Sequence, residues 1–470
     1  MEKSNARGKL MEVKKLTLRN IGRFSRLEIP LAPLGNSNCN VTVFVGNNGS
    51  GKTSVLKSLA TSLSWLVSRI RSEKGSGSPI PELVIKNGES SAAVDIEVYD
   101  FRGNESDPDA EGYSDDNNYY MWSVAKARKG RKGEHKSELV EATGLADHYR
   151  TRLSKNEETS VPLMAFYSVE RVVIDIPLKI RDKHTFLQLD GYDNSLSQGV
   201  DFRRFFEWFR EREDTENESG LTDDVLETLR LVLGDEHESW AKLKDLKASS
   251  RDRQLTAVRS AIYNFMPEFS NLRVKRKPRL HMSIDKNEEA LDVAQLSQGE
   301  KSLMALIGDI ARRLAVMNPD LENPLMGDGI VMIDEVDMHL HPKWQRSLIK
   351  HLSSTFPKCQ FVLTTHSPLV ISDCENVLTY LIAEDELKEL PPLYGEDVNT
   401  VLLEIMDTDI RNAKVNEKLN DLLDAIHDSE INSAKQLLNE LEADLPASNI
   451  ELSKARLLLR KKELKIAKDN

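Results

Sequence analysis

Apolar and polar positions alternate from Val13 to Leu31, VKKLTLRNIGRFSRLEIPL, on either side of RNIGRF, which predicts two strands joined by a turn. The pattern then changes. VTVFV is a run of β-branched and aromatic residues, as in a buried strand, and GNNGSGKT after it is a glycine- and asparagine-rich turn. SVLKSLATSLSWLVSRI repeats its apolar residues at helical spacing. AAVDIEVYD and YYMWSVAKARK read as further strands, with the polar DPDAEGYSDDNN between them as a surface loop, and VPLMAFYSVERVV holds another short buried strand. Helical periodicity runs from Phe202 to about Val274, carried by FRRFFEWFRERE and LTAVRSAIYNFMPEF and broken at DTENESG, Asp214 to Gly220. After Leu296 the order is helix, strand (Gly329 to Asp334), helix, strand (Phe361 to Thr365), which argues for a parallel sheet. From about Ile405 the chain reads as helical and highly charged.

Four short stretches on this framework carry chemistry. GNNGSGKT comprises Gly46, Asn47, Asn48, Gly49, Ser50, Gly51, Lys52 and Thr53, with Ser54 next. It matches GxxxxGK[ST] between a strand and a helix, where backbone N–H groups and a helix N-terminus can cradle phosphates. Lys52 is expected to reach the β- and γ-phosphates, and the Thr53 hydroxyl to coordinate Mg²⁺. IVMIDE, Ile330 to Glu335, is an apolar strand ending in two acids. Asp334 is expected to help hold Mg²⁺, and Glu335 to orient or deprotonate the attacking water. LSQGEKS, Leu296 to Ser302, precedes a helix. Ser297 and the Gly299 backbone can donate to a phosphate, while Ser297 and Glu300 also have capping-box spacing, and both readings can hold together. FVLTTHSP, Phe361 to Pro368, is a strand and a polar turn. A lone His366 there would be structural, but in this series it can reach the γ-phosphate or the water.

The order of these motifs resembles the ATP-binding-cassette (ABC) ATPases, in the soluble branch of SMC, RecF and OLD-type proteins. The resemblance spans about Val13 to Ile371, and EVDMHLHPKWQ and TTHSP are most similar to the OLD-type and defence-associated members. It implies an α/β P-loop NTPase of ABC type with a mixed central sheet, an antiparallel β subdomain, a helical insertion and C-terminal helices. The expected layout is an N-terminal lobe over 11–200, a helical insertion over 201–290, a C-terminal lobe over 291–405 and a helical tail over 406–470 that can pack on its own head or dock a partner subunit. It further implies ATP and Mg²⁺ bound between two heads. The P-loop of one head then faces Ser297, Gln298, Gly299 and Glu300 of the other, and Asp337 crosses the dimer interface.

The histidines of DEVDMHLHP do not read as a zinc site. His339 and His341 alternate around Leu340, unlike the helical HExxH arrangement, and no cysteine pair offers further ligands. In the related proteins this segment is a loop leading into a helix, with Pro342 near its first turn. Two features depart from the family. A glutamine loop is not identifiable, and AFYSVER offers Tyr167 and Arg171 in its place, with a core tyrosine and a surface arginine as the alternative. The helical region is also too short and irregular for SMC-like arms.

OLD-type proteins carry a Toprim nuclease, which needs a glutamate and a DxD pair on strands. About a hundred residues follow His366, and AEDELKE reads as a solvated acidic surface, so a complete nuclease is not expected. LPPLYGEDVNTVLLEIM, Leu390 to Met406, resembles the segment after the ATPase core in Septu and retron-associated ATPases, whose usual effector is a separate HNH endonuclease. The expectation is an ATP-hydrolysing subunit of an antiphage defence system that regulates such a nuclease. The partners implied are a second copy of the chain, the HNH subunit, and DNA or a retron reverse transcriptase with its msDNA. The rival readings are a RecF-like DNA repair ATPase and an OLD-like nuclease.

Composition narrows the picture further. The 470 residues are 39% hydrophobic and 30% charged, enough for two or three structural units with a real core. The net charge of -12 means that nucleic acid must be met by local basic patches. Lys126 to Lys136, Arg273 to Arg279 and the last helix are candidates, and each also fits an ordinary solvated face. Cys39, Cys359 and Cys374 are scattered, which suits a reducing cytoplasm. No apolar run approaches the length of about 18 residues needed to span a membrane.

Overall fold

The computed structural model describes residues 11–34, 39–101, 118–156, 159–170, 186–197, 202–219, 251–383, 385–446 and 448–469. The chain forms two compact units, Met1–Glu396 and Asp397–Asn470.

In the first unit β1 (Glu12–Ile21) and β2 (Phe24–Pro30) form the hairpin expected around RNIGRF. β3 (Val41–Val45) is buried at every residue and leads through the glycine loop into α1 (Lys52–Arg71). β4 (Ser91–Tyr99) and β5 (Tyr119–Ala127) join the hairpin in an antiparallel sheet of order β2-β1-β4-β5. α2 (Val140–Lys155) follows, a helix that the sequence pattern did not announce, and then β6 (Leu163–Tyr167). Among the described residues α3 (Phe202–Ser219) and α4 (Arg253–Phe265) are helices of the insertion, and α3 continues through residues 214–219, where a break was expected. Helical periodicity was expected to run to about Val274 but ends at Phe265. β7 (Phe269–Lys275), β8 (His281–Lys286) and β9 (Glu289–Asp292) form an antiparallel sheet instead. Strand pairing across successive short segments decides this, which local periodicity cannot report.

α5 (Gln298–Met317) is buried at every position from Ser302 onward, so it runs through the core rather than along its surface. β10 (Gly329–Ile333), α6 (Pro342–Thr355), β11 (Cys359–Thr364) and the single helical turn α7 (Pro368–Ser372) complete the predicted alternation. β12 (Leu378–Ala383) and β13 (Glu386–Glu389) form a hairpin, so the acidic run there is the sheet edge. The central sheet has the order β13-β12-β3-β11-β10-β6, parallel except for β13. Its register sets Ile333 beside both Tyr167 and Leu363, and Thr364 beside Phe44. The carboxyl ends of β3, β10, β11 and β6 therefore lie along one edge, where open α/β sheets hold ligands. The antiparallel sheet is tied to this one by the buried Gln360, which accepts from Val13 N at 2.8 Å and donates to Val13 O at 2.8 Å.

The second unit is helical: α8 (Val398–Glu404), α9 (Ala413–His427), α10 (Ile431–Asp444) and α11 (Ile450–Asp469). Leu419, Leu422, Ala434, Leu438, Leu441, Leu452 and Leu459 form its core. Among the described residues no helix of the chain is long and apolar enough to cross a membrane.

Candidate nucleotide site

The loop from Gly46 to Lys52 is shaped by glycine where no other residue fits. Gly51 precedes α1 at φ 102°, and a Cβ there would lie 2.5 Å from the Phe24 ring. A Cβ on Gly46 would lie 2.4 Å from the Ile382 carbonyl oxygen. The backbone can therefore close tightly, with Asn47 and Asn48 exposed on its outer side. Arg23, at the turn after β1, donates to Gly49 O at 3.4 Å and braces the loop. Lys52 is only 6% exposed and donates to Gly46 O at 2.7 Å and Asn47 O at 3.1 Å. Burial lowers its ammonium below the ordinary lysine value, against the opposing pull of Glu335, Asp334 and Asp337. Ser54 lines a cavity of about 220 Å3 against α1, together with Lys57, Thr61 and the apolar Ile21, Ile80 and Val84.

The two acids at the end of β10 sit in different settings. Asp334 is 1% exposed, accepts from the Thr364 hydroxyl at 2.7 Å and from the Thr53 hydroxyl at 3.2 Å, and its amide donates to Tyr167 O at 2.9 Å. Glu335 takes a left-handed conformation, φ 46°, and its amide donates to the same Thr364 hydroxyl at 2.7 Å. The backbone thus turns sharply between them, and Glu335 is less buried than Asp334. Asp337 accepts from the Thr365 hydroxyl and, at 3.4 Å, from the amide of the exposed His366. Gln345 donates to Asp337 O at 3.3 Å and Leu340 O at 2.9 Å and accepts from the Ser367 hydroxyl, so α6 holds both loops.

The structure brings Lys52, Thr53, Asp334 and Glu335 to one edge of the sheet. Ser297 to Glu300 stand apart: among the described residues no hydrogen bond or ion pair joins them to residues 46–54. Ser297 Oγ accepts from Glu300 N at 3.3 Å, and the Glu300 carboxylate accepts from Ser297 N at 2.7 Å, the reciprocal capping box. Lys286 pairs with Glu300. A Cβ on Gly299 would lie 2.3 Å from the carbonyl oxygen of His339, itself at φ 64°. Ser297, Gly299, His339, His341 and Trp344 line an open cavity of about 660 Å3. The His341 Nδ1 accepts from Lys343 N at 3.2 Å and caps α6. Among the described residues no group of three or more histidine, cysteine or acidic side chains gathers as a metal cluster.

Tyr167 is a core residue, 1% exposed, whose hydroxyl donates to Asp309 at 3.0 Å. Arg171 lies outside the described residues. The sequence reading singled out neither Thr364 and Thr365 nor Arg23 and Gln345. The only trace of the threonines in the sequence is two hydroxyls at the end of an apolar strand, a common arrangement.

A glycine loop before a helix, a buried lysine within it and a strand-end acid facing the first helical threonine define the nucleotide site of a P-loop NTPase. The chain belongs to the family described as "AAA domain, putative AbiEii toxin, Type IV TA system", whose model matches residues 41–372. It is similar to the Retron Ec83 probable ATPase of Escherichia coli, 33% identical over 419 residues that span 82% of this chain and 74% of that protein. The Retron Vc95 probable ATPase of Vibrio cholerae serotype O1 biovar El Tor is 32% identical over 426 residues, 84% of this chain and 79% of that protein. A stretch of 113 residues, 38% identical, is shared with the Septu protein PtuA of Bacillus mycoides (strain KBAB4), 23% of this chain and 15% of that protein.

Proposed function

We propose that this chain binds and hydrolyses ATP as a subunit of an antiphage defence system and through that cycle restrains a separate nuclease, of HNH type. The observation that carries the ATPase reading is the single edge shared by Lys52, Thr53, Asp334 and Glu335. The similarity to retron and Septu ATPases supports the defence role.

The residues fit a hard divalent cation. The Thr53 hydroxyl and the Asp334 carboxylate lie 3.2 Å apart, both oxygen donors, and the nearby Ser50 hydroxyl is buried without a partner. Bound there, Mg²⁺ would supply positive charge to the phosphates. Lys52 exchanges its two loop carbonyls for the β- and γ-phosphates. Glu335 takes a proton from water as the water oxygen bonds to the γ-phosphorus and the bond to the β,γ-bridging oxygen breaks, giving ADP and phosphate. Ser297, Gln298, Gly299 and Glu300 meet the nucleotide of a second copy, with Asp337 at that interface. The His366 amide donates to Asp337 at 3.4 Å, and in this reading its imidazole serves the γ-phosphate or the attacking water.

Glu335→Gln tests the reading. Hydrolysis should fall steeply with ATP still bound, and if ATP restrains the partner, cells carrying the variant should lose defence. Normal hydrolysis would overturn the base assignment. Lost hydrolysis with intact defence would overturn the role of turnover.

A second reading, a RecF-like protein that closes on DNA, is favoured by one feature. Lys126, Lys129, Arg131 and Lys132 make no side-chain ion pair among the described residues. The other internal basic cluster is largely neutralised, since Arg273, Arg276 and Arg279 pair with Asp285, Asp214 and Asp292. ATP-dependent, salt-sensitive DNA binding by the chain alone would favour this reading.

A further inference from the structure

The last helix of the second unit has two apolar faces, and only one is used. Leu452, Ala455 and Leu459 point into the bundle core, at 0%, 1% and 5% exposure. Ile450, Leu457 and Leu464 point the other way, at 69%, 71% and 60% exposure. They recur every seven residues, so they form a straight ridge of about 21 Å along the side of the helix opposite its buried face. Lys454, Lys461 and Lys465 flank the ridge on one side and Arg460 on the other, by helical position. Arg460, Lys461 and Lys465 make no ion pair or hydrogen bond among the described residues. No acid shares this face, and the nearest, Glu451 and Glu463, pair with Arg411 and Lys454, and with Lys435.

We infer that this ridge docks an acidic amphipathic helix of a partner protein, with leucine-like residues meeting Ile450, Leu457 and Leu464 and carboxylates meeting Arg460, Lys461 and Lys465. The seven-residue repeat is the spacing by which one helix packs on another, and the flanking charges select the sign of the partner. A second copy of the same helix would oppose basic to basic. A lipid surface needs a broad apolar face, whereas this ridge has only Leu458, 46% exposed, beside it and the opposite side is committed to the bundle. Nucleic acid would answer the charges and leave three large apolar side chains without a contact. The inference rests on reading the chain as a subunit that acts through a protein partner.

The test uses the full chain and a fluorescein-labelled synthetic helix of about three heptads, with leucine at the a and d positions and glutamate at e and g. A lysine version and a scrambled version serve as controls. The acidic peptide should bind, and Leu457→Asp with Leu464→Asp should weaken it about tenfold or more. Arg460→Glu, Lys461→Glu and Lys465→Glu together should transfer preference to the lysine peptide. Equal binding of all three peptides, or no loss in the ridge variant, overturns the proposal. Self-association or binding to anionic vesicles that the ridge variant abolishes also overturns it, in favour of a second copy or a membrane. ATP affinity, measured on the same samples, separates the two readings: peptide binding that fails while ATP binds defeats the docking surface alone.

Discussion

The Thr364 hydroxyl donates to the Asp334 carboxylate at 2.7 Å, and the same oxygen accepts the amide of the next acid, Glu335, at 2.7 Å. One β11 side chain thus fixes the buried acid and the sharp turn that presents the second. Thr364→Val keeps the shape and removes both bonds, leaving a part-buried amide and a buried carboxylate each short of one partner. The expected cost is about 1–3 kcal/mol of stability, with a raised Mg²⁺ requirement for hydrolysis. Urea unfolding and a Mg²⁺ titration check this, and wild-type behaviour in both would remove Thr364 from the positioning machinery.

Lys52 occupies the loop it serves, on Gly46 O and Asn47 O. Lys52→Ala should weaken ATP binding by about tenfold or more, the loss of a charge-assisted hydrogen bond worth about 1.5–3 kcal/mol. Equilibrium binding of a fluorescent ATP analogue measures it. Unchanged affinity with normal hydrolysis would sink the P-loop assignment.

The stretch from Ser297 to Glu300 has no contact with its own P-loop among the described hydrogen bonds and ion pairs. If it completes the site of a second copy, Ser297→Arg should abolish hydrolysis while nucleotide still binds. Mixed with a Lys52→Ala chain, it should regain activity only at sites built from the intact halves. A hydrolysis rate per chain that does not change with protein concentration, in a monomeric sample, defeats the two-headed site.

Asp309, in the middle of α5, is fully buried between Arg312 and Arg313 and accepts from Tyr167. Burial alone would raise its carboxyl, but the two guanidinium groups outweigh it and hold the value at about 2. Because the folded value lies below the unfolded one of about 4, the stabilisation is present above pH about 4 and is lost as pH falls toward 2. Asp309→Asn leaves two arginines buried without a counter-charge, an expected loss of about 3–5 kcal/mol near neutral pH. Its unfolding free energy should also lose the part of the acid dependence between pH about 4 and about 2 that Asp309 supplies. An unchanged acid profile would show that the carboxylate is not the group titrating there.

The nucleotide motifs were legible because each is a contiguous run whose chemistry is local. Glycines at 46, 49 and 51 are needed for a backbone that closes tightly, at φ 147°, 78° and 102°, and the lysine follows at once. The same holds for the capping box from Ser297 to Glu300 and for the buried parallel strands, which announce themselves as apolar runs. β7 to β9 were missed because Phe269–Asp292 acquires its strands from pairing between segments, and a pattern read one residue at a time carries no register.

The sequence by itself marked the residues proposed to handle phosphate, because Gly46 to Thr53 are neighbours in the chain and their spacing is the motif. Only the tertiary structure decided what holds them. Thr364 reaches Asp334 across thirty positions, and Tyr167 reaches Asp309 across 142. It also decided that His339 presses its carbonyl on Gly299 and that α11 leaves Ile450, Leu457 and Leu464 uncovered. The physical reason is common to all four. Hydrogen bonding and burial depend on distance in space, and residues far apart in a chain become neighbours only when strand register and helix packing bring them together.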